Sequence, residues 1–304
     1  MNPPPTNKPL EPLSVAIAGG GIGGLCLAIG LLQYSHLKIN IYESAPQFKE
    51  IGAGLAVGPN AQRALSLICP ATAEAFRRCA TPNLHKEFEK TWFDFRNGIL
   101  GTEGEEAKLS RLENETGQQT VHRAKFLDEL VKLVPPEIGH FGKHLVSVEE
   151  RDDIKKVVLH FTDGTTAMAD CLIGADGVHS SVRKHILGHD HPATTASYSG
   201  IVSYRGLIPM EEAHEAVGEF ADDAYMWCGD GGMVMTYPID YGKTLNVVAS
   251  HNHQKSWSSP PYMVSSTNEE LMDDFKTWGE IPTKVLQVRM TSLPRGMALS
   301  SSRT

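Results

Sequence analysis

The hydrophobic pattern of residues 14–43 is typical first of a strand, then of a helix and then of a second strand. Ser14–Ala18 is a short apolar run with β-branched residues, which predicts a buried strand. Ile22–Gln33 is apolar on nearly every side, as expected of a helix packed against a sheet. Leu37–Tyr42 predicts a second strand. The pattern therefore predicts a strand–helix–strand unit of the kind that builds parallel sheets.

Three glycines occupy the turn between the first predicted strand and the helix. Gly19, Gly21 and Gly24 form a G-x-G-x-x-G sequence, and Glu43 follows at the end of the second strand. Glycines at these positions permit a tight turn, the approach of a diphosphate and close helix–strand packing. The helix N-terminus favours an anion, and the carboxylate can accept ribose hydroxyls. The spacing together with the flanking strand, helix and acid indicates a dinucleotide site, and the alternative is a glycine-rich turn that binds no ligand.

The middle of the chain continues with short strands, helices and polar loops. Helices are predicted from Pro59 and over Ala124–Val134, and a surface loop is predicted over the polar residues 101–117. Asp163-Gly164 is typical of a hairpin turn, and the return strand is predicted over Thr165–Ile173.

The pattern changes after Pro192. Strand-like segments separated by glycine-containing turns predict an antiparallel sheet in place of further βαβ units. These segments are Ser197–Ile208, Gly232–Pro238 and Thr244–Ser250. Thr267–Glu270 resembles a capping box that opens a helix reaching Trp278, and no element is predicted for the last residues.

Composition narrows the classes of function. The 304 residues are 41% apolar and carry a net charge of −8 with both signs interspersed, so the chain has no electrostatic footprint for nucleic acid or an anionic membrane. The N-terminus lacks the apolar core of a signal peptide, and no segment is predicted to span a membrane. The five scattered cysteines include no C-x-x-C pair, which predicts reduced thiols in the cytosol and neither a metal site nor a disulfide framework. His251 and His253 have polar neighbours and are expected to be exposed to solvent.

A second glycine-containing turn follows the apolar residues at 171–173. Gly174, Asp176 and Gly177 precede a helix predicted near Ser180, and small residues there let the chain pass close to a bulky group. Asp176 as a helix cap is the alternative interpretation. Arg123 lies at a predicted strand-to-helix junction, where an arginine either faces a cofactor or forms a surface ion pair.

Four segments together resemble the FAD-dependent aromatic hydroxylases, the class A flavoprotein monooxygenases of the p-hydroxybenzoate and salicylate hydroxylase type. They are the glycine fingerprint with Glu43, EIGAG at 50–54, HRAKFLDEL at 122–130 and LIGADGVHSSVR at 172–183. The resemblance implies an α/β fold in which a Rossmann-like FAD-binding βαβ domain is joined to an antiparallel-sheet substrate domain. It also implies hydroxylation of a phenolic or aromatic-acid small molecule with FAD, NADH or NADPH, and O2, through a flavin C4a-hydroperoxide. A homodimer is a possible assembly.

The resemblance further implies cofactor-binding roles for single residues. Glu43 would hold the adenosine ribose, and Ala56 lies where the family often touches the flavin nucleotide. Arg123 would contact the FAD. Asp176 is associated in the family with both FAD and the nicotinamide cofactor.

Two residues of the predicted sheet match the family's catalytic pair. Arg205 and Tyr237 are the best matches for the arginine and tyrosine that orient a phenolate. An arginine favours the phenolate because its charge opposes that of the ring oxygen. The alternative is that Arg205 forms an ion pair in the sheet and Tyr237 packs in its core.

The end of the sequence departs from the family pattern. The family has a third motif, a glycine–aspartate pair before a helix, that contacts the FAD after a segment like LPRG. Here LPRG at 293–296 is followed by MALSSSRT. We therefore expect a chain truncated before this motif, and the alternative to an active enzyme is a weakly FAD-binding or inactive monooxygenase-like protein. A reductase with two dinucleotide sites is a further alternative, but no second glycine fingerprint follows Arg183.

The predicted domain boundaries follow from these assignments. Residues 1–12 are expected to be a disordered proline-rich tail. The FAD-binding domain is predicted over 13–192, with its second motif at 171–183, and the substrate sheet over 193–290. Residues 291–304 are expected to return to the FAD domain.

Overall fold

The chain folds into two compact units. The computed structural model describes residues 11–48, 54–99, 101, 107–253, 263–288 and 294–300. The first unit comprises Met1–Lys49 and Leu130–Thr195, and the second comprises Glu50–Glu129 and Ala196–Thr304. The predicted tail at 1–12 and the EIGAG segment at 50–54 lie outside the described residues, except for residues 11, 12 and 54.

Strands and helices alternate at first, and strands dominate later. The strands of the described residues are β1 (Leu13–Ala18), β2 (Leu37–Tyr42), β3 (Gly54–Ala56), β4 (Thr81–Pro82), β5 (Thr91–Asn97), β6 (Lys108–Glu113), β7 (Gln119–His122), β8 (Gly139–His140), β9 (Leu145–Arg151), β10 (Lys156–Phe161), β11 (Thr166–Ala169), β12 (Cys171–Gly174), β13 (Ser197–Pro209), β14 (Tyr225–Gly229), β15 (Gly232–Ile239), β16 (Thr244–Asn252), β17 (Met263–Ser265) and β18 (Pro294–Ser300). The α-helices are α1 (Ile22–Leu31), α2 (Pro59–Ile68), α3 (Pro70–Cys79), α4 (Arg123–Val131), α5 (Ser181–Leu187), α6 (Met210–Val217), α7 (Asn268–Asp274) and α8 (Glu280–Gln287).

The first unit contains the predicted strand–helix–strand arrangement. Strands β12, β1, β2 and β8 lie side by side in this order, and every pair is parallel. The core of the sheet is apolar because Ile17, Ile41 and the helix residue Leu25 are fully buried. The predicted α/β fold class is confirmed, and α1 ends two residues before the predicted Gln33.

The predicted return strand over Thr165–Ile173 is in fact two strands in different sheets. Strand β11 joins β10 and β9 in an antiparallel sheet, whereas β12 pairs with β1. The break falls at Asp170, whose carboxylate accepts hydrogen bonds from Ser14 N (2.8 Å) and Lys156 Nζ (2.6 Å). These contacts hold the chain between the two sheets, and a hydrophobic pattern does not show them.

The second unit is built on a large sheet that is mostly antiparallel, as predicted after Pro192. Its order is β17–β18–β13–β16–β15–β14–β5–β6, and β14 and β5 are the parallel neighbours. The prediction of a surface loop over 101–117 is wrong for Lys108–Glu113, which forms the edge strand β6. The side chains of this strand are all exposed, so an edge strand here has the polar composition of a loop.

Residues 294–300 also belong to this sheet, because their backbone forms β18 between β17 and β13. The expected return of residues 291–304 to the FAD domain stays a prediction. The division of the chain also differs from the predicted boundary, because residues 50–129 group with the second unit. The assignment of 13–192 to FAD binding and 193–290 to substrate binding stays a prediction.

One face of the large sheet is covered by helices. The buried cluster on this face includes Tyr204, Trp227 and Leu271. Helix α7 begins with the predicted capping box, in which Thr267 and Glu270 each accept a hydrogen bond from the other's backbone. The predicted continuation to Trp278 is interrupted, because α7 ends at Asp274 and α8 begins at Glu280.

A small sheet, β3–β7–β4, completes the second unit, and α4 follows β7 directly. The five cysteines of the sequence all lie in the described ranges, and none of them forms a disulfide. Across the described ranges, the helices are too short or too polar to cross a membrane.

Candidate functional site

The glycine loop of the first unit is held by close backbone packing. Gly19 has a φ of +101°, and an ideal Cβ there would lie 2.3 Å from the carbonyl oxygen of Ala175. An ideal Cβ at Gly24 would lie 2.0 Å from the carbonyl oxygen of Gly19. Both positions therefore exclude a side chain for reasons of packing alone.

Gly21 is different, because nothing in the fold requires a glycine there. Its φ is −71°, which any residue adopts, and no atom of the described residues lies within 4 Å of an ideal Cβ. Gly21 is the N-cap of α1, and within the described part of the chain no side chain caps this helix. The N-terminus thus presents backbone N–H groups, without an acidic residue in the first turn, to an open space. This arrangement fits the diphosphate of a dinucleotide.

Glu43 lies against the glycine loop, where the fingerprint predicted it. Its Oε2 accepts a hydrogen bond from Gly20 N at 2.6 Å, and its Oε1 accepts one from Ala45 N at 2.8 Å. A carboxylate has about four lone-pair positions. The side chain therefore retains capacity for ribose hydroxyls while the backbone contacts fix its position.

The second glycine-containing turn lies beside the first. Ala175 N donates to Ala18 O at 2.7 Å, which places this turn against Gly19. The carboxylate of Asp176 accepts hydrogen bonds from Ser181 N (2.7 Å) and Val182 N (3.1 Å), so it caps the start of α5. The capping role is therefore present, and the contact of Asp176 with FAD and the nicotinamide cofactor stays a prediction. A shallow pocket of about 360 Å³ adjoins this turn and α5.

Ala56 and Arg123 are both carried by the small sheet of the second unit. Ala56 pairs with Thr120 across β3 and β7, and Arg123 is the first residue of α4, directly after β7. The side chain of Arg123 is exposed. The structure brings the two positions to the same small sheet, and their contacts with a flavin stay predictions.

Arg205 and Tyr237 lie on the same face of the large sheet. Register alignment places Tyr237 opposite Asn246, and Asn246 opposite Leu207. Arg205 precedes Leu207 by two residues and therefore shares its face. This face is opposite to the helix-covered one, and its other side chains are mainly apolar: Phe93, Phe95, Leu207, Met226 and Met235.

Tyr237 and Arg205 differ in burial and in the charge of their polar groups. Tyr237 is 5% exposed, whereas Arg205 is exposed. Burial raises the pKa of Tyr237 to about 12, and the positive charge of Arg205 counteracts this rise. The tyrosine hydroxyl thus stays neutral near pH 7 and can donate a hydrogen bond. The guanidinium supplies a positive charge beside it.

A third polar residue on this face was not among the predicted site residues. Asn246 is 3% exposed, and its Oδ1 accepts a hydrogen bond from Gly54 N at 2.9 Å. An ideal Cβ at Gly54 would lie 2.7 Å from Cε2 of Tyr237 and 2.8 Å from Cγ of Asn246. Gly54 therefore lets the β3 backbone lie directly on this face. The signal in the sequence was a single amide within the apolar run of β16.

His251 is less exposed than its polar neighbours suggested. Its side chain is 17% exposed, and its Nε2 lies 3.0 Å from Oδ2 of Asp274, without the alignment of a hydrogen bond. Tyr204 donates to the same oxygen at 2.5 Å, and its ring stacks on that of His251. The predicted solvent exposure of His251 is wrong, because this side chain is part of the layer between the sheet and α7.

Comparison with known proteins finds relatives that are named as monooxygenases. No family model matches the chain. The 6-methylsalicylate 1-monooxygenase atA of Aspergillus terreus is 62% identical over 279 residues, which cover 91% of this chain and 62% of the relative. The FAD-dependent monooxygenase pigN of Monascus ruber is 40% identical over 294 residues, which cover 96% of this chain and 67% of the relative.

A solved structure supports the same assignment. A salicylate hydroxylase in complex with its substrate superposes with a TM-score of 0.79 at 28% identity, covering 95% of this chain and 69% of that one. The chain thus spans between three fifths and seven tenths of the length of these three proteins. The glycine loop with Glu43, the two-unit α/β fold and these relatives agree, and the chain belongs to the family of FAD-dependent monooxygenases that includes the salicylate hydroxylases.

Proposed function

We propose that this protein hydroxylates a phenolic or aromatic-acid small molecule with FAD, using NADH or NADPH and O2 as co-substrates. The observation that carries the proposal is the placement of Arg205 and Tyr237 on one mainly apolar sheet face. Such a face suits an aromatic ring, and its few polar groups suit the oxygen substituents of that ring. A homodimer and a cytoplasmic location stay predictions.

The relatives support a narrower substrate class. The 62% identical relative bears the name of a 6-methylsalicylate 1-monooxygenase, and the superposed structure is named as a salicylate hydroxylase. Salicylates carry a carboxylate beside a phenol, so they combine an apolar ring with two adjacent oxygen groups. We therefore include salicylate-like acids in the proposed substrate class.

The residues of the first unit fit an FAD. In this proposal the uncapped N-terminus of α1 and the open space at Gly21 hold the diphosphate, with Gly19 and Gly24 shaping the loop. Glu43 accepts the ribose hydroxyls. The bound FAD supplies the electron transfer and the activation of oxygen. Ala56, Arg123 and Asp176 are further proposed contacts.

Arg205 and Tyr237 have distinct proposed roles. A guanidinium within about 4–6 Å of a phenol lowers the phenol's pKa by about 1–3 units, because the positive charge stabilises the phenolate. Arg205 is the proposed source of that charge. Tyr237, whose pKa is raised to about 12, keeps its proton and donates a hydrogen bond that orients the ring. The apolar neighbours exclude water from the ring.

The first experiment tests FAD binding. The purified chain is mixed with FAD, freed of excess, and examined by visible absorption and by titration of flavin fluorescence. We expect stoichiometric flavin in the wild type and about tenfold or weaker affinity in Gly21→Ala, because the new methyl group fills the diphosphate space. Gly23→Ala is the matched control, since an ideal Cβ at Gly23 also meets no atom within 4 Å in the described part of the chain. A wild type without flavin refutes the proposed function.

The second experiment tests the reaction. NADH or NADPH oxidation is followed with salicylate and 6-methylsalicylate, and hydroxylated product is quantified by mass spectrometry. We expect Arg205→Gln to reduce kcat/KM by about 10- to 1000-fold, as loss of a 1–3 unit pKa shift predicts. FAD affinity should stay unchanged in this variant. A flavin-loaded wild type that forms no product from these acids contradicts the proposed substrate class.

A further inference from the structure

The side-chain amide of Asn246 has a hydrogen-bond partner for its oxygen but, among the described residues, none for its nitrogen. Its Oδ1 accepts the hydrogen bond from Gly54 N, but Nδ2 is buried and has no hydrogen-bond partner among the residues that the structure describes. The side chain is 3% exposed, so bulk solvent has little access to it. A buried donor without an acceptor is unfavourable, and native proteins keep few of them.

The orientation of this amide is determined by its neighbour. Oxygen and nitrogen of an asparagine side chain are assigned from the hydrogen-bond network. Gly54 contributes an N–H group, which is a donor, and therefore the amide oxygen must face it. The NH2 group is consequently the part of the amide that has no partner among the described residues.

The position of the unpartnered donor points to the proposed substrate. Asn246 lies directly opposite Tyr237 in the register of β15 and β16. Arg205 is its diagonal neighbour on β13, at a separation of about 7–8 Å between backbone positions. The three polar side chains thus share a face on which the neighbouring cluster of Phe93, Leu207 and Met235 is apolar. The NH2 group is a neutral donor beside a positive charge and a neutral hydroxyl, a set suited to an anion with two oxygen groups.

We propose that Asn246 is a positioning residue whose Nδ2 donates a hydrogen bond to an oxygen substituent, carboxylate or phenol, of the aromatic substrate. The inference rests on the proposed function, because it assigns a partner to a ligand of that same face. It also explains why β3 lies so close to the sheet. The hydrogen bond from Gly54 N directs the amide so that its donor group remains for the ligand.

The sheet contains a matched control. Thr236 precedes Tyr237, is fully buried, and its Oγ1 also has no hydrogen-bond partner among the described residues. Because neighbouring residues of a strand point to opposite faces, Thr236 lies on the helix-covered face. Thr236→Val removes an unpartnered polar group of the same sheet without changing the proposed binding face.

The experiment measures dissociation constants of salicylate, benzoate and phenol for the FAD-loaded protein by calorimetry. Asn246→Leu removes the donor, and Asn246→Asp replaces the donor but retains an oxygen for Gly54 N. We expect both variants to bind salicylate about 10- to 100-fold more weakly than the wild type, with Thr236→Val unchanged. Either benzoate or phenol should show the same loss of affinity, and the other ligand should not. This difference identifies which substrate oxygen, carboxylate or phenol, accepts the hydrogen bond.

The outcomes separate this inference from the proposed function. An equal loss for all three ligands means a structural role of Asn246 and overturns the inference, as does unchanged salicylate binding in both variants. A flavin-loaded wild type that binds none of the three ligands refutes the proposed substrate class, and the inference with it. Thermal unfolding of each variant identifies losses that are caused by a changed fold.

Discussion

Gly24→Ala tests the packing that shapes the nucleotide loop. The added Cβ would lie 2.0 Å from the carbonyl oxygen of Gly19 and 3.4 Å from Cβ of Ala175. The first distance is about 1.5 Å shorter than the roughly 3.5 Å at which non-bonded atoms meet without repulsion. Gly19 follows β1, which is held between β12 and β2, so the backbone on that side has little freedom to move.

The size of the effect follows from two opposing contributions. Alanine is favoured over glycine within a helix by about 1 kcal/mol. Overpacking costs typically 1–3 kcal/mol, and a clash with a backbone oxygen belongs at the upper end or above it. We therefore expect Gly24→Ala to lower the free energy of unfolding by about 2 kcal/mol. Gly23→Ala, one position earlier and exposed, should raise it by about 0.5–1 kcal/mol.

The assay must report on the first unit. All four tryptophans lie in sequence segments assigned to the second unit, so tryptophan fluorescence does not follow the unfolding of the loop. Urea denaturation is therefore followed by hydrogen exchange of peptides from β1 and α1. Equal protection in the two glycine variants would refute the packing argument, because the two substitutions differ only in the space available to the methyl group.

Three further predictions concern stability. Gly54→Ala should lower the free energy of unfolding of the second unit by about 1–3 kcal/mol through overpacking, and an unchanged urea midpoint by tryptophan fluorescence would contradict this. Asp94→Ala should lower the free energy of unfolding by about 3–5 kcal/mol in the same assay, because the largely buried Arg96 loses its 2.6 Å ion-pair partner. A smaller decrease than in Arg111→Ala would show that Arg96 does not need the ion pair. The pKa of Asp170 is lowered, chiefly by Lys156, so its stabilising effect is complete well above pH 4 and decreases as pH falls toward the folded-state pKa. Asp170→Asn should therefore reduce the melting temperature more at pH 7 than at pH 2, and an equal reduction at both would argue against the pairing.

The elements that could be predicted from the sequence are those with local signals. The glycine turn, the capping box before α7 and the hairpin at Asp163-Gly164 each depend on residues a few positions apart. The break at Asp170 depends instead on Ser14, 156 residues away in sequence. The parallel pairing of β5 with β14 is also long-range, so no local pattern shows it.

The candidate site divides in the same way. The family resemblance predicts Arg205 and Tyr237 as site residues, and the sheet register places them on one face. Asn246 lies in an apolar strand, and the sequence does not indicate which face of the sheet it occupies or which group contacts its amide. Its significance depends on Gly54, which is distant in sequence and contacts it only in the folded chain.

The three glycines of the fingerprint carry different kinds of information. Gly19 and Gly24 are explained by the fold alone, because a side chain at either position would collide with backbone. They would be glycine in a protein that bound nothing. Gly21 has an ordinary backbone conformation and free space around it, so the fold gives no reason for the absence of a side chain. Within this fingerprint, Gly21 and the uncapped helix that it begins are therefore the features that indicate a ligand.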